Sequence, residues 1–85
     1  MTPSEAALAA RYGGPAIPLA DVCQTHFGLD YKAARERATA HRLPVPTFRL
    51  TDSQKAPLML HLADLARYID ETHEQARREW EKAQA

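Results

Sequence analysis

One cysteine, one tryptophan, two phenylalanines and three glycines are all that this 85-residue chain contains of those types. A single cysteine, Cys23, excludes an internal disulfide, and its apolar neighbours fit a reducing compartment. No apolar run approaches the ~20 residues of a membrane span, and the first residues lack a signal-peptide pattern. A cytoplasmic protein without membrane contact is therefore expected. There is no glycine-rich phosphate loop, no glycine-flanked nucleophilic serine and no close acid pair with an obvious cleft. The chain does not read as an enzyme, and no cofactor is expected. Cys23 and His26 invite a zinc reading, but both fall on an apolar helix face and no second closely spaced ligand pair exists. A packed cysteine and a half-buried histidine are the simpler expectation, so no metal is assigned.

Net charge is also lacking: eleven bases balance eleven acids, which argues against indiscriminate binding to polyanions. The distribution is uneven, however. Residues 31–50 hold Lys32, Arg35, Arg37, Arg42 and Arg49 against Glu36 alone, while residues 1–30 and 62–85 are each net acidic. A basic middle between acidic ends localises any phosphate contact, although a solvated basic helix face would look the same. The length specifies one small domain, in which only about 60–65% of the unfolded surface is buried.

The organising stretch is 19–42. Leu19, Val22, Cys23, His26 and Phe27 follow the spacing of one buried helical face. Gly28 ends that helix, Leu29 tucks into the turn, and Asp30 caps a second helix. In that second helix Ala34 and Ala38 face inward, and Lys32, Arg35, Glu36 and Thr39 face outward. A basic, exposed helix joined tightly to an apolar one is the pattern of a DNA-reading helix-turn-helix.

Around this stretch, residues 1–14 read as a bracing helix, with Thr2 as cap, Pro3 at the first turn and Glu5 completing a capping box. Leu8 and Tyr12 are its inward residues. Pro44 and Pro46 stop the second helix of the motif. Two extended runs within 45–61, joined by a polar turn, predict a β-hairpin wing tipped by Ser53, Gln54 and Lys55. Residues 62–83 read as a long helix striped by Leu62, Leu65, Ala66 and Ile69, then sparsely by Ala76, Trp80 and Ala83. The spacing allows a coiled-coil-like seam; a solvated helix held by pairs such as Glu74–Arg78 is the plainer alternative. The expected fold is thus mainly α with a small β-hairpin, a winged helix-turn-helix with a long C-terminal helix.

Leu43-Pro44 after a basic helix, and Ala63-Asp64-Leu65-Ala66-Arg67-Tyr68-Ile69 after a wing, resemble winged helix-turn-helix domains of the excisionase and MerR type. More narrowly, Ile17-Pro18-Leu19-Ala20-Asp21-Val22-Cys23, Leu43-Pro44-Val45-Pro46-Thr47-Phe48-Arg49 and the run from Asp52 through Leu62 are similar to the pyocin activator (PrtN-type) family. The resemblance covers roughly residues 7 to 79. It implies a small bacterial or prophage regulator that binds upstream of bacteriocin or phage genes and activates their transcription. Asp30-Tyr31 stands where Thr-Pro is expected in the family, a departure that bears on the DNA sequence read rather than on the mode of binding.

On this reading Arg35 is the foremost base reader, since guanidinium donates two bonds to guanine. Tyr31, Lys32 and Glu36 are the other base-reading candidates. Thr39, Arg42, Arg49, Ser53, Gln54 and Lys55 are backbone candidates, which position the protein rather than specify sequence. Ile69, Ala76 and Trp80 are candidates for contact with a second copy, making a homodimer the expected assembly, or with RNA polymerase or another host protein. Two alternatives share the fold: a phage-encoded protein-interaction module and an architectural, DNA-bending protein.

Overall fold

The computed structural model describes residues 1–84. Four helices and a two-stranded antiparallel sheet follow in the order α1 (Pro3–Tyr12), β1 (Ala16–Pro18), α2 (Leu19–Phe27), α3 (Tyr31–Thr39), β2 (Met59–His61) and α4 (Leu62–Gln84). The architecture is mainly helical with a small antiparallel β element and a long last helix, as expected.

Each helix begins and ends where its residues require. The Thr2 hydroxyl accepts from the Glu5 amide at 3.1 Å, and Pro3 occupies the first turn of α1. Only this half of a capping box is formed; beside it Ser4 Oγ donates to Asp70 Oδ1 at 2.6 Å, tying α1 to α4. Gly28 closes α2 at φ 66°, a left-handed conformation that costs an L side chain energy and glycine little. Its amide donates to Gln24 O at 3.2 Å, and the amide of Leu29 donates to Cys23 O at 3.0 Å. The chain therefore reverses tightly between α2 and α3.

The core gathers one face of every element. Ile17, Leu19, Val22, Leu60 and Leu65 are fully buried, with Leu8, Ala34, Ala38, Val45, Leu58, Leu62 and Ala66 around them. The apolar spacing read in α2, α3 and the first half of α4 is thus the packing that forms. Leu8 is buried and Tyr12 packs against the core, as predicted for α1. The Tyr12 hydroxyl is buried without a hydrogen-bond partner.

The β structure differs in its pairing from the sequence expectation. The hairpin of the 45–61 segment closes at a single bridge, where Phe48 and Met59 exchange both backbone bonds at 2.9 and 2.8 Å. The regular ladder instead joins β2 to β1, with Ile17 opposite Leu60. Pro44, Pro46 and Pro57 lack amide donors and so limit a longer ladder along the hairpin. Ile17 and Leu60, both apolar and both fully buried, supply the better pair.

Candidate nucleic-acid interface

The outward face of α3 is set by its inward one. Ala34 and Ala38 are buried against α2, and their small side chains let the two helices approach closely. Asp30 Oδ1 accepts from the Ala33 amide at 2.8 Å, fixing the first turn. Lys32, Arg35, Glu36, Arg37 and Thr39 are exposed, and Tyr31 is 40% exposed at the helix start. The sequence placed Lys32, Arg35, Glu36 and Thr39 outward, as they are found; Arg37, next to the inward side by helical period, is exposed as well.

The C-terminal end of α3 carries a feature with no glycine to signal it. His41 adopts φ 56°, donating its amide to Ala38 O at 3.1 Å, while the Arg42 amide reaches Arg37 O at 2.8 Å. These are the two bonds of a Schellman cap, with histidine where glycine is usual. The cap turns Arg42 outward and leads the chain into Leu43-Pro44-Val45. Ala38, His41 and Leu43 through Thr47 line a shallow groove there.

Electrostatically, the face is uncommitted. Among the described residues the ion pairs are Arg77–Glu81 at 3.1 Å and Arg78–Glu74 at 3.4 Å, both on α4. Among those residues Lys32, Arg35, Arg37, Arg42, Arg49 and Lys55 have no acidic partner, and Glu36 pairs with neither Lys32 nor any other base. Four cations and one acid on α3 and its exit leave that surface net positive, with no ion pair among them.

The loop beyond Phe48 is braced from within. Arg49 Nε donates to Ala56 O at 3.1 Å, so only its terminal nitrogens are left to donate outward. Ser53 Oγ accepts from the Lys55 amide at 3.1 Å, and the Ala56 amide donates to Ser53 O at the same distance. Ser53 thus shapes the turn, while the Gln54 and Lys55 side chains stand exposed. Thr39 is similarly occupied in part, its hydroxyl donating to Arg35 O at 3.0 Å.

The remaining sequence candidates lie elsewhere. Ile69 is half-buried against the core, whereas Ala76 and Trp80 are exposed on the half of α4 that extends past the domain. Cys23 is buried with its thiol toward Ala20 O, and His26 Nδ1 lies 2.9 Å from Thr25 Oγ1. No group of three His, Cys, Asp or Glu residues among those described is placed to hold a metal ion. No helix among the described residues is long and apolar enough to cross a membrane.

A tight pair of helices with a basic outer face, a proline exit and a braced loop defines a helix-turn-helix architecture. The chain belongs to the pyocin activator family: the family model described as pyocin activator protein PrtN matches residues 6–76. That makes it a member of a family of regulatory activators. The match runs from within α1 to the middle of α4 and therefore includes all of α3 and the braced loop. Comparison with curated proteins and with solved structures gives no match.

Proposed function

We propose that this chain is a sequence-specific double-stranded DNA-binding activator of pyocin or related phage-type genes, acting in the bacterial cytoplasm without catalysis. The observation that carries this reading is the exposed, unpaired pair Lys32 and Arg35, set on the face of α3 opposite buried Ala34 and Ala38. A helix about 10–12 Å across fits the major groove, where Arg35 would donate to guanine O6 and N7. Lys32 and Tyr31 would meet bases or the adjoining phosphates at the helix start. Glu36 would accept from cytosine N4 and reject sequences that place an acceptor there. Arg42, Thr39 and the terminal nitrogens of Arg49 would hold backbone, and Gln54 and Lys55 would grip the neighbouring strand.

Family membership supports the activator role, and the lack of neutralising acids around α3 supports the use of this face. An activator must also touch polymerase or a second factor, and the exposed half of α4 is free for such contact. The test is a gel shift of purified protein with duplex DNA from upstream of pyocin-type genes beside its own locus, against random duplex. Preferential binding that Arg35→Ala weakens supports the reading. Equal binding to both duplexes overturns it.

A further inference from the structure

The exposed side of α3 has two unlike flanks. At about 100° per residue, Lys32, Arg35 and Thr39 lie to one side of Glu36, and Ala33, Arg37 and Ala40 to the other. On the second flank Ala33, Glu36, Arg37, Ala40 and Arg42 line one shallow cleft. Ala33 and Ala40 contribute only methyl groups, so an incoming group can approach the helix closely there. Arg37 and Arg42 are both exposed, and neither has an acidic partner among the described residues. The cap at His41 is what brings them to the same cleft. Its left-handed turn folds the chain back on the last turn of α3, where the Arg42 amide donates to Arg37 O at 2.8 Å. A helix continued through residue 41 would instead set Arg42 about 140° away from Arg37 around the axis.

We propose that Arg37 and Arg42 together hold a single backbone phosphate of the DNA strand that passes this second flank, an inference that rests on α3 being the helix that enters the major groove. A guanine edge accepts one guanidinium through O6 and N7. Two guanidiniums sharing a cleft repel each other unless an anion lies between them. A phosphodiester supplies that charge, and its two free oxygens offer one acceptor to each planar fork. Glu36 is the opposing charge, and no other acid lines the cleft. It stands on the ridge between the flanks, so it repels an anion from the groove-ward end and leaves the phosphate at the Arg42 end. The first flank, with Lys32 and Arg35, keeps the long donors that reach base edges. The arginine pair then fixes the depth and register of α3 and carries no sequence information itself.

The test titrates the full chain against a duplex carrying its preferred site, at several salt concentrations. Arg37→Ala, Arg42→Ala and the double variant are compared with the native chain, each confirmed as folded by circular dichroism. The cap bonds are made by backbone groups, so these substitutions leave them in place. Each single substitution is expected to weaken binding about tenfold on every sequence. The double variant is expected to lower the salt slope by about one, because one phosphate contact is lost. An uncharged methylphosphonate is then walked along both strands. At one position it is expected to weaken the native chain and Arg35→Ala but to leave the double variant indifferent. A salt slope that falls by about two in the double variant assigns the arginines to separate phosphates and overturns the proposal. An unchanged slope, or a loss confined to particular base pairs, overturns it as well. In each of those cases the native chain still prefers its site, so the DNA-binding reading stands. A native chain that prefers no duplex overturns both.

Discussion

The amide of Arg42 donates to the carbonyl of Arg37 at 2.8 Å, closing α3 with His41 in a left-handed conformation. An L residue there carries strain that glycine avoids. His41→Gly is therefore expected to stabilise the fold by about 0.5–1 kcal/mol, less whatever the unfolded chain gains in freedom. Urea unfolding of the two proteins measures it. A loss of stability would show that the imidazole makes a contact worth more than the strain.

At the other end of α3, the Asp30 carboxylate holds the Ala33 amide. Asp30→Ala is expected to cost about 1 kcal/mol, and Asp30→Asn much less, because the amide oxygen caps nearly as well. Equal losses for both variants would assign the effect to charge rather than to the cap. Chemical denaturation distinguishes them.

The closeness of α2 and α3 rests on Ala34, which has no exposed surface. Ala34→Leu adds methylenes where none fit and is expected to cost about 1–3 kcal/mol, shifting α3 outward. Leu65→Ala acts oppositely, opening a cavity at the centre of the core at a cost of about 2–5 kcal/mol. In a domain this small that loss approaches the whole of its stability. Thermal unfolding followed by circular dichroism reads both.

These residues also show why much of the fold was legible in the sequence. Thr2, Asp30 and Gly28 are capping residues whose chemistry acts over three or four positions, so each marks its helix end locally. The alanines of α3 and the leucines of α4 obey one period and meet one core. What could not be read depends on partners distant in the chain. Nothing near Ile17 says that it pairs with Leu60 rather than leading freely into α2. The hairpin shortens to the Phe48–Met59 bridge because prolines on both sides withhold donors, an effect visible only once the register is known. His41 has no glycine to betray its left-handed turn. The outward face of α3 was recoverable because exposure there follows from period alone. The inward use of Arg49 Nε and Ser53 Oγ was not, since a loop has no period.

The two basic regions are expected to act differently on DNA. Lys55→Ala, at the loop tip, is expected to weaken binding alike for all sequences and to lower the salt slope by about one. A sequence-dependent loss would move Lys55 from the backbone to a base edge. Titrations at several salt concentrations on two operators decide it.

Footprinting on DNA flanking the gene tests most directly whether α3 reads base edges through Arg35. The native chain is expected to protect a discrete site. Arg35→Ala, still folded, is expected to lose about 1–3 kcal/mol at that site while tolerating substitutions at one base pair that the native chain rejects. Undiminished protection by Arg35→Ala, with the same base preferences, would contradict the account.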